Sequence, residues 1–275
     1  MDILRRIGKF AVTTALLIVL VFIGMSPAQQ KEDEKGVSIG ERFHKKTSLT
    51  WQGVVGDMFL TKPKEPPQYK VYPGATKIEL PKPEYTGMTV EEALKKRRSI
   101  RNYSTKPISK AQLSQLLFAA QGVTEKMYGK ALRTAPSAGA LYPFEVYIIA
   151  NNVQDLPQGI YHYSVLDHAL ELVKSGDFRG QIIEAGLSQR TLGDAGVTFI
   201  LSAIFDRVRY KYGERGCRYV YMEAGHISQN IYLQAVSLGL DSVCAGAFSD
   251  EKVNKLIDVD GWKEAVIYLH PVGSL

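Results

Sequence analysis

The chain has 275 residues, 45% of them hydrophobic and 10% aromatic, enough apolar material for a sizeable core in one or two domains. Its net charge of +6 is mild, and no basic run is interleaved with aromatics, so a nucleic-acid-binding surface is not indicated. With two cysteines, Cys217 and Cys244, and no Cys/His spacing of the metal-binding kind, a metal centre is not expected either.

Residues 1–28 read as an export leader. Arg5, Arg6 and Lys9 give a positive start, Phe10 to Met25 is uncharged and largely apolar, and Ser26-Pro27-Ala28 offers small residues for cleavage after Ala28. The apolar stretch is short for a spanning helix, which needs ~20 residues; retention as an N-terminal membrane anchor is the competing reading. Arg5-Arg6 also raises a twin-arginine route. The expected location is the periplasm or the outer face of the membrane. Cys217 and Cys244 would then meet an oxidising compartment, and two buried, unpaired thiols are preferred over a disulfide.

Residues 29–88 are polar and proline-rich and read as a flexible tether followed by an extended arm lying on the body, residues 89–275. Thr89 to Glu92 resembles a capping box and opens a helix from about Val90 to Arg98. A second helix starts near Ser109, carries Leu113, Leu116, Leu117 and Ala120 at helical spacing, and closes at Gly122. After a polar loop, Phe144 to Ala150 reads as a buried strand, and Gly159–Val165 with Ala169–Val173 as a hairpin. A helix over Phe178–Leu187, a strand buried on both faces over Val197–Phe205 and a long helix over Arg218–Leu238 follow. A strand over Asp241–Ala247, a helix over Asp250–Ile257 and a strand over Ala265–His270 complete the chain. The irregular alternation with one hairpin points to an α+β fold with a mixed central sheet flanked by helices. No strand–GxGxxG–helix unit and no GxxxxGK[ST] loop is present, which argues against nicotinamide-binding and P-loop folds.

Five segments have the residue types for chemistry. Arg97-Arg98-Ser99-Ile100-Arg101 gathers three guanidinium forks and a hydroxyl suited to phosphate; a solvated basic turn is the bland alternative. Pro136-Ser137-Ala138-Gly139-Ala140-Leu141-Tyr142-Pro143 is a small-residue loop that lets backbone approach a planar ligand, or is simply a tight connection. Lys211-Tyr212 offers an acid–base pair if the lysine is buried, or a surface ion-pair cluster. Glu223, His226 and Asn230 share one helix face and suit either a site or a structural hydrogen-bonded pair. Ala245-Gly246-Ala247-Phe248 is a tight turn whose N–H groups suit a ligand edge or an ordinary strand-to-helix turn.

In this order, with Tyr72-Pro-Gly-Ala75, Arg133-Thr-Ala-Pro136 and Glu223-Ala-Gly-His-Ile-Ser-Gln-Asn230, these segments resemble the nitroreductase superfamily. Within it they resemble the SagB-type, thiazole/oxazole-oxidase-like dehydrogenases, from about Phe43-His44 to the C-terminus. The resemblance implies an FMN-binding homodimer with two sites at the subunit interface. It places Arg97, Arg98, Ser99 and Arg101 on the flavin phosphate and ribityl chain. It also puts Pro136, Ser137, Ala138 and Gly139 of the other subunit, with Gly246 and Ala247, near the ring. The helix from Arg218 would be the dimer helix, with small residues Ala224, Gly225, Ala235 and Gly239 for close packing; Lys211 and Tyr212 match the catalytic pair of azoline-oxidising members. Two departures stand out: Ala140 where many nitroreductases carry an asparagine, and no basic residue in Pro271–Leu275 to help hold the phosphate.

The expected function is two-electron transfer, as hydride, via FMN to or from a small organic substrate, with an unnamed electron donor or acceptor. Export argues against nicotinamide nucleotides, which are scarce outside the cytoplasm. Lys211-Tyr212 slightly favours oxidation of a heterocycle or amino-acid-like group over reduction of nitro or quinone compounds. The alternative from another class is a catalytically idle flavin- or ligand-binding envelope protein; a structural envelope protein without a cofactor ranks third.

Overall fold

The computed structural model describes residues 36–49, 63–127 and 129–275, and the chain divides into two compact units, Met1–Thr50 and Trp51–Leu275. The leader expectation over 1–28 and the start of the tether lie outside the described residues. In the first unit the expected tether holds a helix, α1 (Ile39–Lys46). Ser38 and Glu41 close a reciprocal capping box at its start, and His44, Lys45 and Lys46 sit at the negative end of its dipole.

The second unit is built on a seven-stranded sheet in the order β1 (Lys77–Glu79), β6 (Ala169–Ser175), β5 (Gly159–Ser164), β4 (Phe144–Ala150), β7 (Val197–Ile204), β9 (Glu264–Ser274), β8 (Leu240–Ser242). The expected mixed sheet is corrected here: every pair of these strands is antiparallel. β4, β5 and β6 are joined by short returns, which force antiparallel neighbours. Parallel pairing is confined to isolated bridges, one of them Ser99 beside Ser242 at the β8 edge.

Side chains of β4 alternate between two cores. Phe144, Val146 and Ile148 face one core with Leu113, Leu116 and Leu117 of α3 (Lys110–Gln121) and Val220, Ala224, Ile227 and Ile231 of α7 (Arg215–Ser237). Tyr147 and Ile149 face the opposite core with Ile182 of α4 (Arg179–Ala185), Leu192 of α5 (Thr191–Asp194) and Val253 of α8 (Asp250–Leu256). Burial on both faces explains why β4 and β7 read as near-continuous apolar runs.

The elements that position the site differ from expectation in four places. The helix α2 spans Val90–Lys96, with the Thr89 hydroxyl accepting from the Glu92 N–H and Arg97 already outside. The polar loop after α3 is a hairpin of β2 (Val123–Met127) and β3 (Lys130–Arg133). Lys211 and Tyr212 end a separate short helix, α6 (Asp206–Tyr212), before α7 begins. The expected strand over Asp241–Ala247 keeps only Leu240–Ser242, after which the chain still bonds β9 through Val243 to Pro271 and Ala245 with Leu269. α3 is closed by Gly122 without a left-handed turn: a Cβ there would fall 2.1 Å from the Phe118 ring, so close packing selects the glycine.

Candidate functional site

The single chain gathers the expected site residues into two groups on α7. Nine residues of helix, about 13 Å, separate their anchors Glu223 and Tyr232 along its axis.

The first group lies at the C-terminal part of α7. The chain leaving α2 is pinned to β8 by Ile100 N–H donating to the Ser242 carbonyl at 3.0 Å. This sets the Arg97 guanidinium over the Tyr232 ring, 5.1 Å from its centroid, and the Ser99 hydroxyl 3.0 Å from the Tyr232 hydroxyl. Tyr232 also accepts the Cys244 N–H at 2.8 Å, and Cys244 Sγ lies 2.8 Å from the Tyr268 hydroxyl. Burial pushes the Tyr232 and Tyr268 hydroxyls up from the usual phenol range, so both stay protonated. Gly246 follows next to the Tyr268 ring, and Gly246 and Ala247 are exposed. Arg101 and Ser99 are exposed and Arg97 half-buried; among the described residues none of the three arginines is paired with a carboxylate. Arg98 turns back instead, donating to the Arg97 carbonyl at 2.7 Å and the Lys95 carbonyl at 3.2 Å, and so caps α2. Tyr232 and Tyr268 were not singled out by the sequence, where each reads as one more apolar-face aromatic.

The second group surrounds the Pro136–Gly139 loop. The loop is folded tightly, with left-handed backbone at Gly139 (φ 64°), Ala140 (φ 52°) and Tyr142 (φ 47°). Such conformations at non-glycine residues persist only when the surroundings enforce them. The enforcing contacts are visible: Tyr142 N–H donates to the Ser137 hydroxyl at 2.9 Å, and Lys130 Nζ donates to the Gly139 carbonyl at 3.0 Å. A Cβ on Gly139 would lie 2.7 Å from the Tyr212 hydroxyl and 2.8 Å from Lys211 Nζ, so the expected acid–base pair sits directly on the expected flavin loop. Gly139→Ala should therefore destabilise the protein by about 1–3 kcal/mol, a strain figure for left-handed backbone at a non-glycine residue, and displace the pair; chemical denaturation measures the loss. The burial on which acid–base work by Lys211 was conditioned is not supplied by one chain: Lys211 is exposed and Tyr212 half-buried against Tyr219.

Beneath this loop lie buried polar groups that the sequence did not mark as a set. Arg133 of β3 stacks on the Tyr142 ring at 4.5 Å and donates to Gln121 Oε1 at 3.1 Å. Glu223 is 2% exposed. Burial raises its carboxyl to about 7, against the opposing pull of the Ser137 hydroxyl, the Arg133 charge and Gln121. Glu223 Oε1, Arg133 Nε and Gln121 Nε2 are all buried without a hydrogen-bond partner. His226 Nδ1 lies 3.4 Å from the Pro136 carbonyl. Of the small residues expected to face a second helix, Ala224 and Ala235 point into the chain's own core. The exposed face of α7 instead carries Tyr221, Met222, Gly225, His226 and Gln229. Cys217 and Cys244 are both free and half-buried rather than buried.

Comparison with known proteins gives a consistent result. The nitroreductase family model matches residues 94–274. A Methanocaldococcus jannaschii protein assigned as a nitroreductase is 37% identical over 196 residues, 71% of this chain and 96% of that one. The microcin B17-processing protein McbC of Escherichia coli is 33% identical over 138 residues, 48% of this chain and 50% of that one. A solved nitroreductase-type structure from Anabaena variabilis superposes with a TM-score of 0.70 at 27% identity, covering 86% of this chain, which spans 46% of that one. With the α+β sheet, the helix layers and the Pro136–Gly139 loop already described, the chain belongs to the nitroreductase family.

Proposed function

We propose that the chain is an FMN-dependent oxidoreductase of the SagB-type branch, working as an exported homodimer on a small organic substrate. The observation that carries this reading is the split of the site into two half-sites on one helix. One half holds arginines without a carboxylate partner and a hydroxyl that Tyr232 positions, together suited to a phosphate: Arg97, Ser99 and Arg101. The other holds a strained small-residue loop backed by Lys211 and Tyr212. A second copy packed on the exposed face of α7 would bring each half of one chain to the other half of its partner, and would bury Lys211. These residues fit the group: the guanidinium forks and Ser99 match phosphate oxygens, and the glycine at 139 lets Lys211 Nζ and the Tyr212 hydroxyl lie directly against the small-residue loop.

The bound flavin would supply two-electron acceptance and release. The protein's part is to hold the phosphate at Arg97, Ser99 and Arg101, to shape the ring pocket with Pro136–Gly139 and Gly246–Ala247, and to relay a substrate proton through the Lys211–Tyr212 pair, each group giving up a proton as it gains one. The likeness to the microcin B17-processing protein supports oxidation of a heterocycle or amino-acid-like group over nitro reduction. The leader read over residues 1–28 supports export and an electron partner other than a nicotinamide nucleotide; cell fractionation checks the location. Exposure of Lys211 in the single chain favours, as the second reading, an idle flavin-binding protein.

Arg97→Ala and Arg101→Ala should each weaken FMN binding roughly 10- to 100-fold, the loss of a charge-assisted hydrogen bond. Arg98→Ala should change it little, since Arg98 caps α2. Fluorescence titration of the apoprotein with FMN decides, and unchanged affinity in both of the first two variants would contradict the phosphate assignment.

A further inference from the structure

Three side chains that act on one another near one loop each keep a buried polar atom without a partner: Glu223 Oε1 from α7, Arg133 Nε from β3 and Gln121 Nε2 from α3. Above them Ser137 is fixed on one side only, where its oxygen accepts the Tyr142 N–H at 2.9 Å. A serine oxygen takes two hydrogen bonds and gives one, so the remaining lone pair and the hydroxyl hydrogen are left to Glu223 and to whatever lies on the loop's outer side. An ionised Glu223 has no proton to give, and the Ser137 hydroxyl then donates inward to the carboxylate. A protonated Glu223 donates to the Ser137 oxygen, and the hydroxyl hydrogen is released outward.

We propose that Glu223 is a positioning residue that sets the direction of the Ser137 hydroxyl, and through it the affinity of the loop for a bound flavin. The inference rests on the flavin reading above, since Ser137 matters to a ligand only if the loop binds one. The neighbours leave Glu223 free to change state. Arg133 favours the carboxylate but stacks on Tyr142 and bonds Gln121 rather than closing an ion pair with Glu223. Gln121 and Ser137 also favour the charged form, and burial opposes all three, which holds the group near neutrality at about 7. On α7 itself His226 lies one turn further on, facing the Pro136 carbonyl, while Lys130 on the Gly139 carbonyl and Lys211 with Tyr212 beside Gly139 are the other titratable groups against the loop. Glu223 is a buried acid in a buried donor set, not a surface carboxylate, so its protonation is read out locally at the loop.

The test is FMN affinity of the refolded apoprotein, by flavin fluorescence, between pH 5.5 and 8.5 for wild type, Glu223→Gln, Ser137→Ala and His226→Asn. Wild type should bind roughly three- to tenfold more tightly at pH 6 than at pH 8, the worth of one neutral hydrogen bond, with the change centred near 7. Glu223→Gln, whose amide donates to Ser137 at every pH, should stay tight throughout. Ser137→Ala should be weak throughout, and His226→Asn should keep the wild-type profile. A profile that survives in Glu223→Gln and vanishes in His226→Asn assigns the titration to His226 and overturns the proposal.

A flavin-independent readout covers a variant that folds poorly. A group whose pKa is raised by folding stabilises the protein below its unfolded-state value, and that contribution is lost as pH rises through the folded-state value. The apoprotein Tm of wild type relative to Glu223→Gln should therefore fall between pH 6 and 8. If FMN binds to no form at any pH while this Tm difference is present, the flavin reading fails and the proposal falls with it. If FMN binds and the affinity of wild type is flat with pH, the flavin reading stands and the proposal alone is overturned.

Discussion

Lys211→Ala combined with Tyr212→Phe should lower turnover about 100- to 10,000-fold, the range that a positioned acid–base group contributes, while FMN content stays at the wild-type level. The separation is expected because neither side chain belongs to the phosphate half-site, and because Phe at 212 keeps the edge-on packing against Tyr219, 5.1 Å between ring centroids. The Tyr212 hydroxyl is what is lost, and it faces Gly139 of the loop. Steady-state kinetics on a SagB-type substrate, with flavin quantified by absorbance, reads both quantities. Turnover that survives in the double variant would move the proton transfer elsewhere. Wild-type protein that holds FMN but turns over none of the heterocyclic, nitro or quinone substrates would favour the idle flavin-binding reading.

Arg207→Met should destabilise the protein by about 3–5 kcal/mol, the cost of stranding one partner of a buried ion pair. For a domain of this size that is a Tm loss of about 6–20 °C. Arg207 is 3% exposed and lies 2.6 Å from Glu145, which is 5% exposed. Burial alone would push the Glu145 carboxyl up. The His162 hydrogen bond, the Arg207 and His162 charges and the more distant Arg133 outweigh it and hold the group at about 2. Both His162 ring nitrogens face carboxylates, Glu145 at 2.8 Å and Glu171 at 2.9 Å. Removing Arg207 leaves Glu145 buried with less to offset it. It also removes one tie to the arm, because Arg207 Nε donates to the Pro67 carbonyl at 2.8 Å. The contrast is Lys252→Ala, which breaks only the exposed pair with Glu184 and should leave the Tm unchanged. Differential scanning calorimetry compares the two; equal, small losses would show that the buried network contributes nothing beyond packing.

That network was not legible in the sequence, and the reason is separation. Lys70 of the arm donates to Glu264 of β9, 194 positions away, and to the Tyr147 hydroxyl of β4. The strands contribute polar residues scattered along largely apolar runs, Glu145 within Phe144–Ala150 being the plainest, and a lone buried polar residue does not announce its partner. The arm was legible as extended but not as a β-strand: Lys77–Glu79 pairs with β6, with Lys77 Nζ 3.8 Å from Glu171, but its alternation covers only three residues. The β2–β3 hairpin was missed because Val123–Met127 is largely exposed and lacks an apolar stripe. Long, strongly patterned elements were legible nearly to the residue: β4, β7, α3 and α7 all bury a face whose spacing is set by strand or helix period. Of the site, the Arg97–Arg101 and Pro136–Gly139 segments were visible because their chemistry is local in sequence. Tyr232, the hub between Arg97, Ser99 and Cys244, was hidden in the apolar face of α7.

The central claim is that the two half-sites together hold FMN. The most direct test is the absorbance spectrum of the purified full-length protein, with any released cofactor identified by chromatography. The two visible bands of oxidised flavin are expected, with FMN on release at about one per subunit. Protein that stays colourless after incubation with excess FMN would contradict it.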